Sequence, residues 1–560
     1  MNLNSHYTVE KNEESFVVNS ILTAPKTALV KYFDRDGDQY FTMKYGVVEP
    51  HYIYEKIKNG DEIDVTHCYI HDFSLSKYRE KYGLEERENV SISNFKADGA
   101  FFDNSSVIDF SFAVFEKDAN FHETHFGKGT VYFFKSAFKG LVNFSEAYFG
   151  KGDADFQFTD FGDGDVTFEK SRFHYGNISF VNCVFGKGNT NFKKVIFNDG
   201  KVDFHFSRFG EGVKIFDQSV FGGGDVDFKR CDFGPGKADF RRIKFGDGDV
   251  TFEESIFTSG KVSFKSSDFG DGVVNFHMVD FGVDSAIFDN VKFGSGSVSF
   301  YKSISKELSF IECELDTFVN LRVTKCGYLG LTNSINRDII ELPNSRDKSD
   351  VKIINFAGMR NLGQLYLGWK ESDIFNLITR QKEKTTNRQK SEQFRILREN
   401  FHNLGQYDDE DYAYVEFKRH ELRAKTEDAI TENPANKFWA LPRSAFEYFI
   451  FDKIGLYATN PLRVLFSTAM IYTAFSLTYF ILPHFEKGSE IVQSVSHPGG
   501  AGELSHLESA FYHSAVTFLT IGYGDYFPTG FFRILSAVEG WVGVFLMSYF
   551  TVAFVRKILR

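Results

Sequence analysis

The residues of this chain whose types and spacing can do chemistry lie near its C-terminus. Counting from Thr517, the sequence reads T-x-x-T-x-G-Y-G, and Asp525 follows directly. Such a segment offers backbone and hydroxyl oxygens to a ligand and contains no nucleophile–base pair. No catalytic or metal-ligand spacing stands out elsewhere, so we predict that the chain is not an enzyme. A GYG tripeptide alone is often an ordinary turn, and its meaning here depends on the elements around it.

Two apolar segments enclose this motif. Segments 462–483 and 534–555 each contain one charged residue, Arg463 in the first and Glu539 in the second. Both segments are about as long as a helix must be to cross a bilayer core of about 30 Å. We therefore predict a membrane protein with two spanning helices at these bounds.

A short helix is predicted directly before the motif, over 505–519. It is mostly apolar and too short to span the bilayer, and Ser505 with Glu508 three residues later has the pattern of a capping box. The motif itself, 520–525, then follows as an irregular segment. Irregular backbone is tolerated at membrane depth only where protein encloses it or where it lines a wet path.

This arrangement resembles the pore of potassium channels, because the motif is the full signature of their selectivity filters. Segment 446–560 as a whole is similar to two-transmembrane bacterial channels. The resemblance implies a homotetramer around one pore, with K⁺ as the permeant ion and no other cofactor. Gly522 and Gly524 would allow successive carbonyls to face one way, since they can take φ angles forbidden to residues with a Cβ. The oxygens that replace the water shell of K⁺ would be the carbonyls of Thr520, Ile521, Gly522 and Tyr523.

The resemblance also assigns supporting roles around the filter. Thr517 opens the signature, and Asp525 matches the acid that lies behind the filter in the family. In some members that acid pairs with a carboxylate on the pore helix, but the corresponding residue here is Val516. Inactivation behaviour that depends on this pair is therefore not expected to carry over.

Three residues of the second apolar segment are further candidates. Gly543 falls where the family has its gating hinge, with Gly540 as a near alternative, and close helix packing explains a glycine there equally well. Glu539 is an ionisable group inside a membrane helix, and such groups are usually functional. It either pairs near the pore helix or faces the inner cavity.

The distribution of basic residues predicts that both ends of the chain face the cytoplasm. Arg443 and Lys453 precede the first apolar segment and Arg463 lies at its very start, whereas Arg556, Lys557 and Arg560 follow the second segment. Between 485 and 530 only Lys487 is basic. The N-terminus has no signal-peptide pattern, and five cysteines without short spacings indicate a reduced compartment. We expect a multi-pass protein of the cell membrane, whose control would arrive through the segment before 462, since the chain stops right after its second apolar segment.

A repeat dominates the middle of the chain. Of its 67 phenylalanines, two series recur every twelve residues with an offset of five. The first series is Phe144, Phe156, Phe168, Phe180, Phe192, Phe204, Phe216, Phe228, Phe240, Phe252, Phe264, Phe276, Phe288 and Phe300. The second is Phe149, Phe161, Phe173, Phe185, Phe197, Phe209, Phe221, Phe233, Phe245, Phe257, Phe269, Phe281 and Phe293. Stacked coils of about 24 residues would bury these rings in one column, whereas a single coil would be unstable alone.

The repeat resembles the pentapeptide-repeat family, whose members form right-handed, four-sided β-helices. The steps of five and seven residues depart from that family and suggest lengthened corners. The GDGD corners at 162–165 and 246–249 could also suggest calcium-binding repeats, but their period and the following valine do not fit, and we interpret these aspartates as solvated corner residues.

The complete prediction is a multidomain protein with a right-handed β-helix, a helical connector and a two-transmembrane pore domain. Segment 1–92 would be a small domain or a cap of the β-helix. The β-helix covers 93–370, a charged helical connector 371–440, an interfacial helix 441–461 and the pore domain 462–560. The connector's pattern of Gln393–Phe394, Asn400–Phe401 and Leu404–Tyr407 resembles the connector of bacterial proteins that join pentapeptide repeats to a channel module.

The net charge of −12 argues against a nucleic-acid partner. The expected partners are other copies of the chain, the lipid bilayer and an unidentified cytoplasmic ligand or protein of the β-helix. Two alternatives stay open. The pore could be a non-selective cation channel, although Tyr523 stands where several such relatives have an acid. The helices could instead anchor a pentapeptide-repeat interaction scaffold.

Overall fold

The computed structural model describes residues 6–18, 22–34, 36–344, 348–381, 385–486, 488–494 and 504–559. The chain divides into two compact units, Met1–Lys384 and Thr385–Arg560. The topology predictions that used Lys487 and Arg560 lie outside the described residues.

The first unit is a β-solenoid with coils of about 24 residues, which confirms the architecture predicted from the phenylalanine repeat. Strands of successive coils pair in parallel, so that Val202 lies opposite Val226, and Val226 opposite Val250. One face has twelve strands: Val107–Asp109, Thr130–Tyr132, Ala154–Asp155, Ile178–Ser179, Val202–Asp203, Val226–Asp227, Val250–Thr251, Val274–Asn275, Val298–Ser299, Val319–Asn320, Ile339–Glu341 and Gln364–Tyr366.

Each coil also contributes strands to further sheets of the solenoid. One sheet runs through Ile63–Asp64, Phe95–Lys96, Ala119–Asn120, Val142–Asn143, Val166–Thr167, Thr190–Asn191, Lys214–Ile215, Ala238–Asp239, Val262–Ser263, Ser285–Ile287, Ile304–Ser309, Lys325–Gly330, Asp350–Val351 and Ile354–Asn355. Another contains Tyr7–Asn12, Thr27–Phe33, Gln39–Val48, Cys68–His71, Phe101–Asp103, His125–Phe126, Tyr148–Phe149, Arg172–Phe173, Ile196–Phe197 and Val220–Phe221. Shorter sheets contain Val90–Ile92, Ala113–Phe115, Ala137–Phe138, Val184–Phe185, Arg208–Phe209, Lys292–Phe293, Glu314–Leu315, Ile335–Asn336 and Arg360–Asn361, and the pair Phe16–Val17 and Thr23–Ala24.

The phenylalanines fill the inside of the coils. Phe228 is fully buried, and its ring stacks on Phe204 and Phe252 at centroid distances of 4.8 and 4.7 Å. It also meets Phe216 and Phe240 edge-on. Aromatic pairs in these geometries contribute about 0.5–1.5 kcal/mol beyond the burial of their area. Each coil is therefore stabilised mainly by the contacts of its phenylalanine rings with those of the coils before and after it.

The aspartates of the GDGD corners bind the next coil. Asp165 accepts a hydrogen bond from the backbone N–H of Asn189 at 2.7 Å, and Asp249 accepts one from Val273 at 2.8 Å. These side chains satisfy backbone donors at corners where the sheet ladder is interrupted. These exposed corner residues therefore also make contacts between coils, which the sequence did not indicate.

The N-terminal segment continues the solenoid. Strands Tyr7–Asn12, Thr27–Phe33 and Gln39–Val48 are antiparallel to one another, and the last of them pairs in parallel with Cys68–His71. Helices α1 (Pro50–Asn59) and α2 (Leu75–Tyr82) belong to the same segment, and α3 (Ile374–Thr379) follows the last coil. An antiparallel extension of the sheet closes its open edge, as a cap does.

The second unit begins with two charged helices, α4 (Asn387–Asn403) and α5 (Tyr407–Glu432). They are antiparallel, because Asn387 contacts Glu427 at one end and His402 contacts Glu410 at the other. Gly405 lies between them in the left-handed region, with φ of 69°. The 3₁₀ turn Pro434–Asn436, helix α6 (Lys437–Glu447) and a π-helical turn (Tyr448–Lys453) come next.

Three more helices complete this unit. They are α7 (Pro461–Ile481), which ends in the 3₁₀ turn Leu482–His484, then α8 (His506–Phe518) and α9 (Phe532–Ile558). Strands Ile491–Gln493 and Tyr526–Pro528 pair antiparallel on either side of α8 in sequence. The helices correspond to the predicted segments 462–483, 505–519 and 534–555, with ends that differ by one to three residues.

Candidate functional site

Helix α8 leads directly into the predicted filter. It begins with a complete capping box, in which Ser505 Oγ accepts from the Glu508 N–H and Glu508 accepts from the Ser505 N–H. At its other end the Thr520 N–H donates to the Thr517 carbonyl at 3.0 Å, and the Ile521 N–H donates to the Val516 carbonyl at 2.8 Å. The last turn of α8 therefore fixes the start of the filter, and its negative dipole end lies at this junction.

Alternate residues of the filter take left-handed backbone angles. The φ angles are 53° at Thr520, 70° at Gly522 and 76° at Gly524. Nothing lies within 4 Å of a Cβ built on either glycine. The backbone angle, rather than lack of space, is therefore what requires glycine at these two positions. That these residues bind an ion stays a prediction.

The filter lies open on one face of the single chain. Tyr523 is 71% exposed and Ile521 49% exposed, although both side chains are large and apolar or aromatic. Glycine-rich, exposed backbone of this kind would leave its polar groups unsatisfied inside a membrane. One chain alone therefore encloses no conduction path.

The outer side of the filter is held by a tyrosine. Tyr512 of α8 donates its hydroxyl hydrogen bond to Asp525 at 2.8 Å, and the Ser494 N–H donates to the Asp525 carbonyl oxygen at 2.7 Å. Sequence reasoning identified Asp525 and the missing acid at Val516, but it missed Tyr512, which lies one helical turn before Val516. In this chain a phenol of α8, four residues before Val516, is therefore a hydrogen-bond partner of Asp525.

Glu539 faces the pore helix. Its side chain is fully buried and accepts hydrogen bonds from Ser514 on α8 and from Tyr479 on α7. Of the two orientations that the sequence left open, this structure has the one toward the pore helix. Ser514 and Tyr479 were not recognised from the sequence.

Helix α9 is continuous through both glycines that were considered for a hinge. A Cβ on Gly543 would lie 2.0 Å from the carbonyl oxygen of Phe518, whereas a Cβ on Gly540 would make only an ordinary contact of 3.6 Å with Thr517. Gly543 thus allows α9 to approach the end of α8 closely. A hinge role for either glycine stays a prediction.

The connector helix α5 is tied to the segment before α7. Arg419 forms a bidentate ion pair with Asp452 of the π-helical turn, with N···O distances of 2.8 and 2.7 Å. It also binds Glu416 at 2.7 Å. Asp452 is fully buried. The hydrogen bonds from Arg419 to Asp452 raise the pKa of Arg419 above the usual range of a guanidinium, so this guanidinium stays charged at any physiological pH.

The same segment is tied to α9. After the π-helical turn, Leu456, Tyr457 and Ala458 all take left-handed backbone angles. The Tyr549 hydroxyl of α9 accepts from the Ala458 N–H at 3.0 Å and donates to the Phe451 carbonyl at 3.0 Å. One side chain of α9 therefore holds this unusual corner in place.

Charges at the end of α9 also contact the connector directly. Arg556 lies 3.1 Å from Asp411 of α5, and its guanidinium lies 4.3 Å from the centre of the Tyr414 ring. Lys557 lies 2.9 Å from Asp408 and 3.5 Å from Asp411. The connector and the C-terminal end of α9 are thus one packed assembly within this unit.

Among the described residues, one group has the arrangement of a metal site, Asp203, His205 and Asp227 on the solenoid. Lys201 lies 3.0 Å from Asp203 and 4.0 Å from Asp227. The ammonium group already balances these carboxylates, which disfavours a further cation.

Helices α7 and α9 are long and apolar enough to cross a membrane. Their spans Pro461–His484 and Phe532–Ile558 have a mean hydropathy of 1.6, and only 17% and 22% of these windows are buried within the chain. The core helix of a soluble protein would be mostly buried, so these helices require an apolar environment outside the chain.

Comparison with known families agrees with this geometry. Residues 464–560 match a family model described as "Ion channel". No curated protein and no solved structure is detectably similar to the chain. The matched segment contains α7, α8, the filter and α9, that is, the elements whose contacts are described above. The C-terminal segment therefore carries an ion channel domain with two apolar helices, and it is joined by a helical connector to an N-terminal β-solenoid.

Proposed function

We propose that four copies of the chain form a potassium-selective channel in the cell membrane. The observation that carries the proposal is the left-handed backbone at Thr520, Gly522 and Gly524, in the segment that follows the short helix α8. Only this alternation lets a run of carbonyls point to one side. The exposure of Ile521 and Tyr523 in a single chain supports an assembly, because neighbouring copies would enclose them.

In this pore the protein supplies binding oxygens rather than chemistry. Four filters would surround the axis, and the carbonyls of each would replace the water shell of K⁺. Asp525, which follows the filter, is held by a hydrogen bond from Tyr512. Conduction would require several weak sites in succession, which a run of equivalent carbonyls provides.

The contacts at the end of α9 support the predicted orientation. The connector precedes α7 in sequence, and it binds Arg556 and Lys557 after the apolar part of α9. These contacts support a pore domain whose two ends lie on one side of the membrane. By the positive-inside rule this side is the cytoplasm, and Phe438 and Trp439 of α6, each 83% exposed, are suited to the adjoining lipid surface.

Flux into liposomes tests the proposal. Purified protein would be reconstituted, and uptake of ⁸⁶Rb⁺ or K⁺ would be compared with that of Na⁺. The test variant is Gly522→Ala, because alanine cannot adopt φ of 70° without strain. The matched control is Gly60→Ala, whose glycine has a φ of 73° and open space around it but lies at the end of α1.

Selective K⁺ uptake that Gly522→Ala abolishes and Gly60→Ala keeps is the expected result. Equal uptake of K⁺ and Na⁺ would contradict selectivity and favour the non-selective cation channel. Absence of any flux, with the protein correctly inserted, would favour the anchored scaffold. A detergent-solubilised mass four times the 64.1 kDa chain would agree with the tetramer.

Control of the pore would enter through the connector. Helix α5 contacts both the turn before α7, through Arg419, and the end of α9, through Asp411. A force on α5 therefore reaches both membrane helices. Single-channel opening that is unchanged after deletion of 1–370 would count against a regulatory role of the solenoid.

A further inference from the structure

A carboxylate lies buried among the three helices of the pore domain. Glu539 has no exposed surface, and its own helix is otherwise apolar over most of its length. An acid in such a place is costly unless hydrogen bonds or a proton compensate it. Neither the ion path proposed above nor the family match gives this residue a task.

Each oxygen of Glu539 binds a different helix. One accepts a hydrogen bond from the Ser514 hydroxyl of α8, and the other accepts from the Tyr479 hydroxyl of α7 at 2.8 Å. Ser514 is fully buried and Tyr479 is 2% exposed. Because Glu539 itself is on α9, one side chain joins both spanning helices to the pore helix.

Further hydrogen bonds lead from this point to the filter. Ser536 lies 3.0 Å from the Tyr479 hydroxyl and 2.9 Å from Nε2 of His513. His513 Nδ1 lies 3.3 Å from the carbonyl oxygen of Tyr526, and its Nε2 lies 3.4 Å from the Thr517 hydroxyl. Thr517 opens the signature, and Tyr526 directly follows Asp525, the last residue of segment 520–525. The network thus reaches both ends of the filter from behind.

We propose that Glu539 is a positioning residue, which fixes the rotation and depth of α8 and thereby the placement of the filter. The inference rests on the proposed function, because the placement of the filter can affect ion selectivity only if the chain forms a selective channel. A carboxylate suits this task because each of its oxygens accepts from one hydroxyl, whereas a glutamine has a single accepting oxygen.

Variants of Glu539, Ser514 and Tyr479, here called the triad, test the proposal in the full-length protein. They are Glu539→Gln, Ser514→Ala, Tyr479→Phe and the double variant of the first two. Thr478→Val is the matched control, because its hydroxyl binds only the Ala474 carbonyl of its own helix and its side chain is exposed. Assembly in detergent is measured first, and then the uptake ratio of Na⁺ to K⁺ in liposomes.

Each single substitution of Glu539, Ser514 or Tyr479 is expected to raise the Na⁺/K⁺ uptake ratio about five- to tenfold, as the net loss of one ordinary hydrogen bond predicts. The double variant should exceed neither single one by more than about twofold, because both changes break the same contact. Thr478→Val should leave the ratio unchanged. A merely structural role would lower the uptake of both ions together and leave the ratio at the wild-type value.

Two outcomes would overturn the proposal: a wild-type ratio in Glu539→Gln and Ser514→Ala, or fully additive effects in the double variant. Failure of the proposed function is a different result, namely a wild-type protein that passes Na⁺ and K⁺ equally. In that case, hydrogen exchange of the α8 amides decides the positioning role. Faster exchange in Glu539→Gln than in Thr478→Val supports it, and equal exchange rejects it.

Discussion

The contact between the connector and the end of α9 can be broken by one substitution. Asp411 pairs with Arg556 at 3.1 Å, and the two side chains are only 11% and 22% exposed. Asp411→Asn removes the charge, keeps the size of the side chain and leaves Arg556 on the Tyr414 ring. If α5 controls the position of α9, this substitution changes the balance between open and closed pores.

The burial of the pair sets the size of the effect. Exposed ion pairs contribute about 0.2–1 kcal/mol, and breaking a fully buried pair costs about 3–5 kcal/mol. The Asp411–Arg556 pair lies between these limits, so we expect about 1–3 kcal/mol for each chain, which corresponds to about a 5- to 150-fold change in an equilibrium. Asp408→Asn is the matched control, because Asp408 is 84% exposed and should contribute less than about 1 kcal/mol.

Single-channel recording in planar bilayers measures this effect as open probability. Asp411→Asn and Arg556→Gln should each shift it, and the reversed pair Asp411→Arg with Arg556→Asp should restore part of the loss. The shift should also shrink at high salt, since screening weakens the pair in the wild type. A double-mutant cycle with a coupling below about 0.3 kcal/mol would refute the reasoning, because the two residues would then act independently.

Three further predictions concern packing and stability. Phe228→Ala should lower the free energy of unfolding of the solenoid by about 3–5 kcal/mol in denaturant titrations, since it empties a fully buried ring position, whereas Phe206→Ala, 41% exposed, should cost less than about 1 kcal/mol. Gly543→Ala should reduce the thermal stability of the pore domain in detergent because its Cβ meets a carbonyl at 2.0 Å, while Gly540→Ala should leave the melting temperature within a few degrees of wild type; equal effects would contradict the packing argument. Burial lowers the pKa of His125 to about 4, so the unfolded chain binds one more proton between pH 4 and about 6.5. Solenoid stability should therefore fall by up to about 3 kcal/mol as the pH drops through that window, and His125→Phe should remove this part of the pH dependence.

The solenoid could be predicted from the sequence because the residues that form its core recur at a regular spacing. Each inward phenylalanine is repeated after 24 residues, and the same spacing separates paired strands, as for Val226 and Val250. The signature Thr517–Gly524 was equally accessible, since its residues are contiguous and its conformation depends mainly on the glycines. Patterns of this kind need no knowledge of which distant residues meet.

Contacts between distant residues could not be predicted. Two such contacts join Tyr512 to Asp525 and Ser514 to Glu539. They depend on how α8 is rotated relative to the rest of the pore domain, and the spacing of residues in the sequence does not determine that rotation. A signal was present, because His513 and Ser514 are polar residues in the second half of a short helix predicted to lie in the membrane, and Glu539 is the one acid of another apolar helix. Polar groups in such surroundings must find each other, and this argument would have indicated the pairing.

Lys214 shows a second limit of periodic reasoning. It occupies the inward position that valine or another small apolar residue takes in most coils, and it is 1% exposed. Its ammonium group donates to the carbonyl oxygens of Gly210, at 2.7 Å, and Pro235. Burial lowers the pKa of Lys214 to about 8. A charged residue in the repeat would be placed outside by pattern alone, but here two corner carbonyls compensate its burial.

Arg556 and Lys557 bear on two separate properties, the predicted membrane orientation and the contacts with the connector. As sequence signals they predict a cytoplasmic location for the C-terminal end of α9, and this prediction depends only on their charge and position. In the folded unit the same charges bind Asp411 and Asp408 of the connector. Replacing Arg556 and Lys557 with glutamine would therefore affect both insertion and coupling, whereas replacing the aspartates leaves the insertion signal intact. For that reason the coupling is tested on the aspartates first, and an effect of Asp411→Asn on opening, with unchanged membrane orientation, assigns it to the connector contact.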